Sequence, residues 1–136
     1  MAKVSGIGMT CAVDDSGGTA RAIGGQILSS SWQTPRALQD VTGLTSAAHE
    51  RLALLADFQQ SFNCAVDTAS GASTFDVFKT AASASPTSRT ITNVIQSQTL
   101  AVEALLDGAN WSRPADGSWA VSSNGMLANG TAPAWS

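Results

Sequence analysis

The chain has 136 residues, the size of one ordinary domain. Only 12% of them are charged, about half the usual quarter, and seven Lys and Arg against ten Asp and Glu give a net charge of −3. So few cations argue against a protein that grips nucleic-acid phosphates, and a hydrophobic share of 43% argues against disorder. No run approaches the roughly 18 apolar residues of a membrane helix; the longest is Leu52 to Ala56. Ser5, Gly6 and Gly8 stand where a secretory leader needs its apolar stretch, so none is expected. Cys11 and Cys64 are too few for a disulfide scaffold.

A soluble monomer ordinarily wears about 25–35% charged residues on its surface. Here Ser, Thr, Ala, Gly, Asn and Gln take those places. Such surfaces occur on protomers packed against copies of themselves and on secreted sandwich modules. Composition does not choose between the two.

Residues 1–9 read as an extended arm, because Lys3, Val4 and Ile7 are too sparse to build an element. Thr10 to Asp14 reads as a strand, turned at Asp15-Ser16-Gly17-Gly18 and followed by Ala20 to Ile23. Gln26 to Thr34 reads as a strand that stops before Pro35, with Ala37 to Thr42 as its return partner. Thr45 to Ala56 reads in two ways. It is either a helix with Leu44, Ala48, Leu52 and Leu55 on one face, or a helical turn running into an extended Leu52 to Leu55.

Phe58 to Val66 alternates, with Phe58, Gln60, Phe62, Cys64 and Val66 on one side. Ser73 before Thr74 to Thr80 fits a loosely capped short helix, with Phe75 and Phe78 facing the core. Arg89 to Gln96 is β-branched, and Thr99 to Asp107 sets Leu100, Val102, Ala104 and Leu106 on one side. Asp107-Gly108, Asp116-Gly117, Asn124-Gly125 and Asn129-Gly130 read as turns around a strand from Ser118 to Ser122. Leu127 to Ser136, with Pro133 and Trp135, reads as a second arm. Regular turns between short alternating runs predict one mainly β domain over 1–136.

Catalytic signatures are missing. His49-Glu50 would need a second His at position 53, which is Ala. A zinc site would need Cys11, Cys64 and His49 to converge without any local ligand pair. No G-x-S-x-G elbow exists for a nucleophilic Ser. Gly6-Ile7-Gly8 lacks the third Gly of a dinucleotide loop. Glu103 and Asp107 share a strand face but lie about 13 Å apart along it, beyond the separation of a glycosidase pair. Asn110-Trp111-Ser112 and Asn129-Gly130-Thr131 match the glycosylation pattern, which carries little without a leader. The expectation is no enzyme, no cofactor and no metal. Trp32, Trp111, Trp119 and Trp135 fit sugar platforms or packing anchors equally well. Trp135 has little core of its own to enter, so a neighbouring subunit is a natural place for it.

Several blocks carry a resemblance to a known family. They are Met1 to Gly6; Thr34-Pro35-Arg36 with Gln39 to Leu44; and Ala48, Glu50-Arg51-Leu52 and Leu54 to Asp57. They continue with Asp76 to Thr80, Arg113 with Ala115 to Ser118, and Leu127 to Trp135. In order and spacing the chain resembles the major tail protein, or tail tube protein, of long-tailed bacteriophages, especially those of actinobacteria. Cys64, Gln59-Gln60 and Asn110-Trp111 fall outside the family's pattern.

The resemblance implies an antiparallel β-sandwich, barrel-like on assembly, with one or two short helices and terminal arms at 1–9 and 127–136. It implies hexameric rings, stacked through the excursion at 34–57, as a channel for DNA ejection. Interface residues would then be Lys3, Val4 and Ile7 in one arm, and Pro133 and Trp135 in the other. Pro35, Arg36, Asp40, Val41, Thr42, Glu50 and Arg51 would serve in the excursion. Partners would be copies of the chain, a tape measure protein and tail terminator or tip proteins. Genomic DNA would be bound only in transit, and no membrane is involved. The protein would belong to the virion tail and assemble in the host cytoplasm, which favours free thiols. Asp67, Glu103 and Asp107 would be candidates to line an acidic lumen. A capsid decoration protein and a carbohydrate-binding sandwich are the competing readings.

Overall fold

The computed structural model describes residues 9–67, 74–81 and 88–136. Lys3, Val4, Ile7 and the capping Ser73 lie outside the described residues. Among the described residues are ten strands: β1 (Thr10–Asp14), β2 (Ala20–Ala22), β3 (Ile27–Gln33), β4 (Arg36–Asp40), β5 (Arg51–Ala56), β6 (Gln59–Ala65), β7 (Arg89–Ile95), β8 (Gln98–Leu106), β9 (Asn110–Ser112) and β10 (Ala120–Leu127). One short helix, α1 (Thr74–Phe78), lies between β6 and β7.

Eight strands form a single antiparallel sheet in the order β2-β1-β7-β8-β10-β6-β3, with β9 also on β10. Among the described residues β4 and β5 pair only with each other. β8 and β9 lie along the same edge of β10, at Ala104 to Leu106 and Asn110 to Ser112. The break between them holds Gly108 at φ +115°, a conformation that suits glycine.

The sheet is folded over on itself. Gln60 of β6 and Asn93 of β7 join through two side-chain hydrogen bonds of 3.1 and 2.9 Å. In a flat sheet those strands, with β8 and β10 between them, would stand about 14 Å apart. The β3–β6–β10 half therefore faces the β1–β7–β8 half across the core. This is the sandwich expected, built from one continuous sheet.

The alternating runs bury the side they should. Phe58, Phe62 and Cys64 meet Cys11, Val13, Ile91, Leu100, Val102, Ala104 and Val121 inside. α1 adds Val77 and Phe78, and Phe78 packs on Phe62 with ring centroids 6.0 Å apart. The guanidinium of Arg89, itself buried, donates to the Val77 carbonyl and to Thr80 Oγ1. It thereby ties the end of α1 to β7.

Four expectations are corrected, and a choice between two readings is settled. Ala37 to Thr42 does not return along β3: β4 pairs with β5, and β3 pairs with β6. Thr45 to Ala56 is not a full helix: of its two readings the extended Leu52 to Leu55 holds, within the strand Arg51–Ala56 paired with β4. Asn124-Gly125 is not a turn but lies inside β10. Gly125 faces inward there, and Ile91 Cδ1 occupies the space a side chain would need, 2.9 Å from where a Cβ would stand. The last strand accordingly runs to Leu127 instead of ending at Ser122. Phe75 does not share the core with Phe78. In α1 the inward face is Thr74, Val77 and Phe78, at i, i+3 and i+4, which turns Phe75 outward onto Trp111 at 6.0 Å.

Candidate functional site

The excursion at 34–57 is a β-hairpin joined to the sheet at its base, where the Asp57 N–H donates to the Pro35 carbonyl at 2.8 Å. Pairing of Leu38 with Ala53, Gln39 with Leu52 and Asp40 with Arg51 sets its register. Directly opposed residues share a face, so Leu38 lies with Ala53 on one side and Leu52 with Gln39 on the other. Both sides are apolar and wet. Leu38, Val41, Leu44, Leu52, Leu54 and Leu55 are all exposed, Leu55 by 90%. A polar network holds the tip. The Thr42 hydroxyl and its N–H both donate to Asp40 Oδ1, the Glu50 N–H donates to Thr42 Oγ1 at 2.9 Å, and His49 Nδ1 lies 3.0 Å from Asp40 Oδ2. The Thr42 hydroxyl, the Thr42 N–H and His49 together hold the Asp40 carboxyl below its ordinary range. Ser46 Oγ donates to Glu50 Oε1 at 3.1 Å. Pro35 and Arg36 form the base, with Leu55 beside the start of the C-terminal arm at Leu127 and Ala128.

The C-terminal arm returns along β8. The Ala128 N–H donates to the Glu103 carbonyl, and Ser136 and Thr99 exchange two backbone bonds of 2.9 and 3.0 Å. Between these anchors Asn129, Thr131 and Ala132 stand over Thr90, Ala101 and Glu103 and enclose a small cleft. Trp135 bridges to Leu100 and packs on Trp32, ring centroids 6.4 Å apart. Trp135 thus rests in part on its own chain. Trp135 remains 46% exposed, and Pro133 beside it is half-buried.

The lumen candidates occupy different places. Asp67, half-buried beyond β6, accepts from Gln26 Nε2 at 3.2 Å. Glu103, under the C-terminal arm, accepts from the Thr90 hydroxyl. Asp107 is exposed at the β8–β9 break and accepts from the backbone and side-chain amides of Asn124 at 3.1 and 3.2 Å. The three do not converge.

Of the catalytic and metal candidates weighed in the sequence, His49 lies apart from the two cysteines. His49 sits on the exposed hairpin tip with Asp40. Cys11 and Cys64 are free and buried, and burial raises their thiols to about 12 and about 11. Among the described residues no group of three or more His, Cys, Asp and Glu is placed to hold a metal ion. Of the Trp candidates, Trp32 and Trp135 pack on each other tilted by 43°, Trp111 packs edge-on to Phe75, and Trp119 is exposed. Gln60 lies on the side the alternation gave it, with Phe58, Phe62 and Cys64, whereas the inward Asn93 and Arg89 were missed, because each looks like a surface residue in sequence.

The sequence matches no family model and no curated protein. Solved structures do share the fold. A chain in the virion of the native gene transfer agent particle superposes with a TM-score of 0.73 at 12% identity, over 98% of this chain and 99% of that one. A chain in the tail of the empty gene transfer agent particle, a helical refinement with C6 symmetry, gives 0.71 at 12% identity over 98% of both. The fold is thus the mainly antiparallel β fold found in these virion and tail structures.

Proposed function

We propose that this protein is a structural tail tube protein: six copies close into a ring, rings stack into a hollow tube, and DNA crosses that tube on ejection. The carrying observation is the hairpin β4–β5, apolar on both faces and exposed on both. Apolar surface of this kind on a rigid projection is stable in water only when something covers it. A copy in the adjacent ring is the occupant that fits, since the fold is shared with a chain from a C6 tail.

In this reading Pro35, Arg36, Asp40, Val41, Thr42, Glu50 and Arg51 make ring-to-ring contacts. Lys3, Val4 and Ile7, with Pro133 and the open half of Trp135, reach neighbouring copies. Among the described residues β2 and β3 are the two end strands of the sheet. Neither carries Lys or Pro, the residues that ordinarily blunt an edge. Pairing such edges around a closed ring removes them. The tube would end on tail terminator and tip proteins, enclose a tape measure protein during assembly in the host cytoplasm, and serve in the virion tail.

The test is to delete Thr42 to Glu50 from the hairpin tip. The expected product is a protomer that melts as the parent does but forms no tubes. Tubes of parental length would overturn the stacking role.

A further inference from the structure

The sheet has two outward faces, and they differ in chemistry. β3, β6, β9 and β10 contain no Asp, Glu, Lys, Arg or His. Register places Ser31 opposite Ser61, Gln33 opposite Gln59, and Ser122 opposite both Asn63 and Asn110, all turned away from the core. Gln33 Nε2 donates to Gln59 Oε1 at 2.9 Å, so the amides link across strands. Ser31, Ser61 and Asn63 in the middle are open to solvent. A carboxylate, Asp107, is bonded to this face at its margin by Asn124. The other outward face, on β1, β7 and β8, carries Asp14 and Glu103 and is crossed by the C-terminal arm.

We infer that the outward face of β3, β6, β9 and β10 is the channel wall, and that it passes duplex DNA by presenting hydroxyls and amides in place of charge. This rests on the tube reading above. Duplex DNA carries one charge per about 1.7 Å, and a cationic wall would hold it through counterion release. A neutral, hydrogen-bonding wall keeps its water and releases no counterions, so nothing anchors the duplex at any point along the bore. As an interface between copies this face would fit poorly, because each buried hydroxyl and amide would need a partner. As the outer skin of a tube it would lack the charge that water-facing surfaces ordinarily carry. The expected acidic lumen shrinks to Asp107 alone: Glu103 belongs to the opposite face, and Asp67 lies beyond the end of β6.

The test uses Ser61→Cys, with Thr92→Cys on the opposite outward face for comparison; native Cys11 and Cys64 are buried. Assembled tubes are treated with a small maleimide, or with the same group on a gold bead wider than the tube. The inference expects Ser61→Cys tubes to react with the small reagent and not with the bead. Bead labelling would put the face outside the tube, and protection from both reagents, with the free protomer reactive, would make it an interface. Either result overturns the inference while leaving tube formation intact. If the unaltered chain forms no tubes at all, the tube reading itself fails and this inference with it. A second measurement addresses mechanism: Ser61→Lys tubes should retain duplex DNA at low salt and release it as salt rises. Retention equal to that of unaltered tubes would contradict a wall that works by lacking charge.

Discussion

Gln60 and Asn93 hold the two halves of the sheet together from inside, each amide donating to the other's carbonyl, at 3.1 and 2.9 Å. Gln60 Nε2 also donates to Ser30 Oγ at 3.1 Å, which ties in β3 as well. Replacing Asn93 leaves Gln60 Oε1 buried without its donor, while Gln60 Nε2 keeps Ser30 Oγ. Asn93→Leu should therefore cost about 1–3 kcal/mol in a denaturant melt. The double variant Gln60→Leu, Asn93→Leu should lose less than the sum of the single changes, because it leaves fewer orphaned groups. Strict additivity would mean the pair does not act as a unit.

The thiols supply a pH prediction. Cys11 and Cys64 titrate at about 12 and about 11 in the fold against 9.0 ordinarily, chiefly through burial. Their folded values are raised, so the native state holds these protons more tightly than the unfolded chain. The stability this contributes is fully present below pH 9 and is lost as pH rises toward 11 and 12. Thermal melts should fall above pH 9, and Cys11→Ala should soften that decline. A thiol-reactive dye at pH 8 should label the native chain only after denaturant is added; prompt labelling would contradict burial.

Much of this was legible from the chain alone. Phe58 to Val66 and Thr99 to Asp107 alternate because each has one buried face, and both contain strands that bury the side expected. Leu52 to Leu55 misled in part, since Leu and Ala favour a helix and only pairing with β4 makes the segment a strand. Asn124-Gly125 carries a strong local turn signal that a long-range contact, Ile91 against Gly125, overrides. The pairing of Gln60 with Asn93 was illegible because the two lie on strands distant in sequence, and that of Arg89 because its partners, the Val77 carbonyl and Thr80, lie at and just beyond the end of α1. The wall face was hidden for the same reason: Ser31, Ser61, Ser122 and Asn110 are neighbours only once the sheet is assembled.

The arm gives a third prediction. Trp135 and Trp32 pack at 6.4 Å, beside the Ser136–Thr99 bonds that close the free edge of β8. Trp135→Ala should lower stability by about 1–2 kcal/mol, the contact and part of its buried area being lost. It should also shift the tryptophan fluorescence of the remaining rings. An unchanged melt would mean the arm does not rest on its own protomer in solution.

Self-assembly is the central claim, and electron microscopy of the purified chain tests it most directly. The account predicts hollow tubes of stacked rings whose end-on views show six-fold symmetry around an open channel. A chain that stays monomeric at high concentration, with light scattering agreeing, would contradict it, as would solid fibres without a channel.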